Sequence, residues 1–264
     1  MRLMREVRCF VAPDAASGAV VNSWAGHPTS DGVAPFVVLR AIVEGPVDER
    51  SGFVCTISAL DTMLRDVVGA HLRRRAGSRD ADALGAAGAL REVFGAAAAA
   101  CPATCRLTEL SLSTSPFLRY AVRAGEIDMI HMTQSFEFSA AHRLHCADLS
   151  DEENRRTFGK CNNPNGHGHN YVVEVTIRGT VDDATGRIID HAHFQRTVGE
   201  IVIDRFDHKH LNLDCPEFAT LNPTVENIAR VVFKRLAGSL SPCELAMVRI
   251  WETPKTFAEY AGKT

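Results

Sequence analysis

The 264-residue sequence has little net charge: the formal value is -3. That gives no electrostatic case for nucleic acid or an anionic membrane surface as a partner. No apolar run approaches the roughly 18 residues that a membrane helix needs. The opening Met1-Arg-Leu-Met-Arg-Glu-Val-Arg-Cys9 is charged throughout, so no secretory leader is expected. Eight cysteines include no Cys-x-x-Cys pair, so they read as reduced thiols. These absences lead to the expectation of a soluble cytoplasmic protein. With 45% hydrophobic residues the chain can bury a real core, in one large domain or two small ones.

What is present is concentrated in Lys160-Cys-Asn-Asn-Pro-Asn-Gly-His-Gly-His-Asn-Tyr171, with Phe136-Glu-Phe-Ser-Ala-Ala-His-Arg-Leu-His145 before it. A strand starting at His167 would put His167, His169, Tyr171, Val173, Val175 and Ile177 on one face. His142 ends the apolar run Phe136 to Ala141 and would join them from a neighbouring strand. Three neutral imidazoles suit zinc and leave a fourth position open for water or substrate, as in a catalytic site. Gly166 and Gly168 allow close backbone approach beside it. His-x-His by itself is weak, and the chain holds two further copies, His191-Ala-His193 and His208-Lys-His210.

In chain order, Phe36 to Val43 reads as a strand, followed by a turn-rich Glu44 to Gly52 and a short strand Phe53 to Thr56. Leu60, Met63, Leu64, Val67, Val68 and Leu72 recur at helical spacing up to the basic Arg73-Arg-Arg75. Leu84 to Cys101 predicts a second helix, and Leu107 to Ser113 and Phe117 to Arg123 two strands. The second half repeats this order. Tyr171 to Arg178 and Arg187 to Asp190 read as strands, and Phe194, Val198, Ile201, Val202 and Phe206 as one helix face. Asn222-Pro223 opens a helix with Val225, Ile228, Ala229, Val232, Phe233 and Leu236 inward, before strands Leu245 to Trp251 and Phe257 to Tyr260. Gly45, Val47, Asp48, Gly52 and Val54 align without gaps on Gly179, Val181, Asp182, Gly186 and Ile188, and Thr114-Ser-Pro116 on Glu252-Thr-Pro254. The expectation is an internally duplicated α+β protein with its boundary near Ile127 to Thr133, giving domains 1–130 and 131–264. The first copy lacks the chemistry: Asp14 falls near the position of His142, no His-Gly-His precedes Phe36, Thr114 replaces Glu252, and His27 reads as a loop residue.

Ser139-Ala-Ala-His-Arg-Leu-His145, Leu149-Ser-Asp-Glu-Glu-Asn154, Phe158 to Tyr171, Phe206-Asp-His-Lys-His-Leu-Asn212, Pro223-Thr-Val-Glu-Asn-Ile228 and Trp251-Glu-Thr253 together resemble the 6-pyruvoyl tetrahydropterin synthase family. The resemblance runs from about Phe136 to the C-terminus. It implies two tandem tunnelling-fold units, each a four-stranded antiparallel sheet with two helices on one face, the N-terminal one serving as scaffold without metal. It also implies a homo-oligomer with sites at subunit interfaces. The implied reaction converts 7,8-dihydroneopterin triphosphate to 6-pyruvoyl tetrahydropterin with loss of triphosphate, as a carbon-oxygen lyase. Zn2+ on His142, His167 and His169 would act as Lewis acid.

Cys161 would be the general base, its thiolate favoured by nearby cations or zinc. Asp207 and His208 would be a second proton-transfer pair. Glu252, sharing a strand face with Ala246, Val248 and Ile250, would accept paired N–H donors of the pterin ring. Thr224 and Glu226 match a segment beside the pterin, although capping and first-turn dipole stabilisation explain both equally well. Arg143, Lys160 and Lys209 are the cations near in sequence that could meet the triphosphate. The related 6-carboxytetrahydropterin synthases of queuosine synthesis take the same substrate and release acetaldehyde as well. There three residues typically separate the cysteine from His-x-His, against the five separating Cys161 from His167. A non-catalytic pterin- or zinc-binding module is the third reading, and the proton-transfer residues speak against it.

Overall fold

The computed structural model describes residues 1–11, 33–76 and 85–262; Asp14 and His27 lie outside them. The chain forms two compact units, Met1–Met132 with Arg178–Ile188, and Thr133–Ile177 with Ile189–Thr264.

The first unit begins with β1 (Arg2–Phe10) antiparallel to β2 (Phe36–Glu44). β1 is absent from the sequence reading because its charges hide its alternation. Val7 and Cys9 are buried, while Glu6 lies directly opposite Arg40 in register and binds its Nε at 2.6 Å. Arg5 is bidentate to Asp61 at 2.5 and 2.9 Å. Paired in this way, charges that resembled a solvated terminus fit a half-buried strand.

Helices α1 (Ile57–Thr62) and α2 (Ala70–Ala76) are joined through a π-helical stretch, Met63–Gly69, and bury Leu60, Met63, Leu64, Val68 and Leu72. α3 (Ala86–Ala99) buries Leu90, Val93 and Phe94. Its N-cap is Gly85, whose absent side chain lets the carbonyls of Thr185 and Gly186 accept from Gly85 and Gly88 N–H at 3.1 and 2.9 Å. A Cβ at Gly85 would sit 2.7 Å from the Gly186 oxygen. β3 (Arg106–Ser115) and β4 (Leu118–Arg123) complete the antiparallel order β1-β2-β3-β4.

The second unit is built on β5 (Met129–His142), which leads through α4 (Asp151–Phe158) to β6 (His167–Thr180). Next come α5 (His191–Val198), a π-helical stretch Gly199–Ile203, and α6 (Asp204–Phe206). The short β7 (Lys209–His210) runs parallel to β5, placing Lys209 against Ala140 and His210 against Ala141, and continues into α7 (Leu211–Asp214). α8 (Val225–Leu236), β8 (Glu244–Thr253) and β9 (Thr256–Tyr260) close the unit, with strand order β5-β6-β8-β9. Tyr171, Val173, Val175 and Ile177 of β6 are fully buried, as the alternation predicts. They share their core with Phe138, Phe194 and Phe206; the Phe138 and Tyr171 rings stack at 5.0 Å.

Two expected strands, Phe53–Thr56 and Arg187–Asp190, do not form; only an isolated Asp182–Arg187 bridge is present. Both segments lead directly into helices, Thr56 and Asp190 being extended N-cap residues. Four residues that must turn into a helix have no length left for a ladder. Among the described residues no helix is long and apolar enough to cross a membrane.

Candidate active site

β5 ends in His142, which is completely buried. Its Nδ1–H donates to the carbonyl of Pro223 at 2.8 Å, which leaves the Nε2 lone pair facing His167 Nε2 at 3.2 Å. The loop before α8 thus fixes the tautomer of a side chain on a distant strand. The three rings of His142, His167 and His169 lie with centroids 4.6, 5.1 and 4.7 Å apart. Among the described residues this is the one group of three His, Cys, Asp or Glu ligand atoms lying within 4.8 Å of one another.

Burial, then repulsion from neighbouring imidazoles, pushes His142 down to about 4. Burial, then His169, also lowers His167. These two rings are therefore neutral at neutral pH, the form in which a metal binds. His167 Nδ1 and His169 Nε2 are buried without a hydrogen-bond partner. Two nitrogens each 2.0–2.1 Å from a tetrahedral zinc stand about 3.3–3.4 Å apart, close to the His142–His167 separation. Neutral rings, the orphaned His169 Nε2 and this spacing all fit a zinc ion.

Gly166 makes the cluster possible. Its φ is 72°, and a Cβ there would stand 2.7 Å from His210 Nε2 and 2.9 Å from the His142 carbonyl oxygen. Gly168 is a weaker case, since a Cβ would meet Ala140 O at an ordinary 3.6 Å.

Glu252, near the end of β8, turns inward: its Oε1 is 3.7 Å from His142 Nε2 and 3.6 Å from His169 Nε2. Cys161 occupies the 3-10 turn Gly159–Asn162 and is half-buried. Its carbonyl accepts from Leu144 N–H at 2.8 Å, while Asn162 Nδ2 donates to the Leu144 carbonyl at 2.7 Å. This reciprocal pair straps the cysteine turn to the segment following His142. Burial first and the Glu252 charge second push the Cys161 thiol up. In the protein alone the charged group acting on the thiol is thus an acid, Glu252.

Asp207 and His208 follow α6. Asp207 Oδ1 accepts from Ser139 N–H at 2.8 Å and Oδ2 from His208 Nδ1–H at 2.7 Å. The Ser139 amide, then His208, holds the Asp207 carboxyl below the usual range. His208 adopts φ 55° and donates its backbone N–H to the Ser139 carbonyl at 2.7 Å, leaving an exposed ring with Nε2 unengaged by the carboxylate. His208 and His169 line one groove with Ser139, Asn170 and His210. Thr224 caps α8, accepting from Asn227 N–H at 3.4 Å, and Glu226 is exposed in the first turn. Arg143 reaches the Asn162 carbonyl and His145 Nδ1 at 3.4 and 3.3 Å, whereas Lys160 and Lys209 are exposed. His191 and His193 sit in the first turn of α5.

A model of the family described as 6-pyruvoyl tetrahydropterin synthase matches residues 131–263. The chain belongs to the 6-pyruvoyl tetrahydropterin synthase family. The human 6-pyruvoyl tetrahydrobiopterin synthase is 42% identical over 132 residues, which are 50% of this chain and 91% of that protein. The solved 6-pyruvoyl tetrahydropterin synthase of Caenorhabditis elegans is 45% identical, with a TM-score of 0.49, over 51% of this chain and 96% of that one. A 6-carboxy-5,6,7,8-tetrahydropterin synthase of Rickettsia conorii is 27% identical over 149 residues, covering 50% of this chain and 99% of that protein.

Within this 6-pyruvoyl tetrahydropterin synthase family member, sequence reasoning left several participants unassigned. The Pro223 carbonyl is a backbone atom with no motif of its own. Tyr171, its hydroxyl 3.4 Å from His142 Nδ1, was legible only as a face-sharing core residue. Asn162 lay inside a quoted motif, but only the fold shows that it braces the cysteine turn.

Proposed function

We propose that the second unit converts 7,8-dihydroneopterin triphosphate to 6-pyruvoyl tetrahydropterin with release of triphosphate. The observation that carries this reading is the convergence of three imidazoles and Glu252, with Cys161 braced nearby, in a chain of this family. His142, His167 and His169 would hold zinc, which when bound supplies Lewis acidity toward hydroxyl oxygens of the substrate side chain.

Glu252, at the end of an apolar strand face, accepts paired ring N–H donors and so orients the pterin. Cys161 removes a carbon-bound proton. Its raised thiol requires a positive charge nearby to become a thiolate, and a divalent ion beside Glu252 would offset the acid that now raises it. Asp207 holds His208 through Nδ1, leaving Nε2 to move a second proton. Thr224 and Glu226 would stand beside the pterin, and Thr224 meanwhile caps α8.

Residues 1–130 are proposed as a degenerate copy of residues 131–264 acting as scaffold, so that the chain carries two tandem tunnelling-fold units with a boundary near residue 130. Matching turns support this. Asp48 accepts from Ser51 N–H and Oγ–H, Gly52 N–H donates back to the Asp48 carbonyl, and Asp48 N–H donates to Phe53 O. Asp182, Thr185, Gly186 and Arg187 repeat every one of these bonds, with Gly52 and Gly186 both at positive φ, 73° and 63°. A homo-oligomer of this chain, with sites completed at subunit interfaces, belongs to the same proposal.

The test is incubation of zinc-loaded protein with dihydroneopterin triphosphate, followed by chromatographic identification of the pterin and an acetaldehyde assay. 6-Pyruvoyl tetrahydropterin without acetaldehyde supports the proposal. The carboxy product with acetaldehyde replaces it with the queuosine-type reaction, and unchanged substrate leaves a binding module.

A further inference from the structure

A second concentration of reactive side chains lies in the first unit, far in sequence from the imidazoles. Cys101 follows the C-terminal end of α3, and Cys105 stands one residue before β3, with Pro102 between them. Their Sγ atoms are 3.6 Å apart, and Cys101 Sγ also reaches the Cys105 carbonyl at 3.7 Å. The ionisation of buried Cys55 is disfavoured by burial first and by the same Cys105 thiol second. The arrangement is built rather than accidental: Thr104 Oγ1 donates to the Val54 carbonyl at 3.0 Å, tying the two loops together. The end of β2 packs so tightly here that a Cβ on Gly45 would meet Thr104 O at 2.5 Å and Cys105 Cβ at 2.9 Å.

We propose that Cys101 and Cys105 form a dithiol that closes to a disulfide by exchange with a low-molecular-weight disulfide, with Cys55 as the alternate partner of Cys105. The Cys105 sulfur, half-buried and central, attacks the small disulfide after losing its proton to solvent, and one small thiolate leaves. Cys101 then attacks the Cys105 sulfur of the mixed disulfide, its proton passing to the second small thiolate, which leaves as the thiol. Two protein thiols are oxidised by one electron each, and one small disulfide is reduced to two thiols. Closure moves the sulfurs from contact to about 2.05 Å, a shift of roughly 1.5 Å within reach of side-chain rotation.

Charge favours this outcome over a metal. Burial, then the neighbouring Cys105 thiol, pushes Cys55 up to about 11 and Cys101 up to about 12. These two thiols are therefore held protonated, and since a metal takes the thiolate they make poor ligands. The three sulfurs do not form a ready metal site either, since among the described residues only the imidazole trio gathers three ligand atoms within 4.8 Å.

The test uses the full chain with chelator present, incubated with excess oxidised glutathione, quenched by alkylation and mapped by mass spectrometry. The expected result is loss of two titratable thiols per chain and a Cys101–Cys105 cross-linked peptide, both reversed by a dithiol reductant. Buried Cys9 and Cys243 should stay alkylatable only after unfolding and so report that the fold persists. Cys101→Ser should divert the link to Cys55–Cys105, and Cys105→Ser should abolish any link. Free thiols, glutathione adducts without an internal cross-link, or a Cys55–Cys101 link in Cys105→Ser would each overturn the proposal.

Discussion

His142 makes the sharpest prediction, because its buried neutrality has a stability consequence that needs no substrate. An imidazole has an ordinary pKa near 6.5 in the unfolded chain, and His142 is held down to about 4 in the fold. The folded state therefore resists a proton that the unfolded state takes up, so stability is full above the unfolded value and falls as pH drops toward the folded one. Linkage gives a loss of about 2 kcal/mol by about pH 5 and about 3 kcal/mol below about pH 4. Chelator-stripped protein would be unfolded in urea at pH 7.5 and at pH 5, alongside His142→Asn. Each protein is compared with itself, so the fixed cost of the substitution cancels, and His167 contributes to both. The wild type should lose about 2 kcal/mol more than the variant over this interval. Equal losses would mean that His142 is not the buried neutral base described here, and its role as a ligand through Nε2 would fall with it.

Purified protein should carry about one zinc per chain by elemental analysis, in keeping with one three-histidine site; two tightly held ions would refute a metal-free first unit. Cys161→Ala should keep zinc and cooperative unfolding but lose turnover, and undiminished turnover would remove the thiol from the mechanism. Asn162→Ala removes the strap to the Leu144 carbonyl and should lower kcat about 10- to 100-fold with zinc content unchanged, by misplacing the thiol; an unaltered kcat would show that the turn holds its place without it. Asn154→Ala strips four hydrogen bonds between a fully buried amide and the backbone of Cys146, Leu149 and Ser150. With stranded buried groups left behind, the cost should be about 3 kcal/mol in urea unfolding, and a change below about 1 kcal/mol would contradict the burial.

Side-chain periodicity carried most of the second unit. The alternation from His167 to Ile177 correctly picked out a buried face from Tyr171 onward, and Asn222-Pro223 marked the start of α8 to within a few residues. The three imidazoles were legible because two share that face and the third ends the adjacent strand. Periodicity could not show what depends on pairing between distant segments. β1 was hidden until Arg40 and Asp61 were seen to neutralise its charges. The Pro223 carbonyl is chemically identical to every other carbonyl, and only the chain path brings it to His142. The raised Cys161 thiol was not legible locally, because burial sets it first and Glu252, ninety-one residues later in the sequence, adds to it. The π-helical stretches in both units have no compositional mark.

Ser139 and His142 belong to one continuous strand. The amide that grips Asp207 and the imidazole in the metal cluster are thus separated by three residues of extended backbone, about 10 Å. A strand at that separation acts as a ruler, unlike a hinge: its two marks cannot drift independently when loops breathe. Adding or deleting one residue between them would also swap which face each side chain points to. Length variation between Ser139 and His142 should therefore be ruinous.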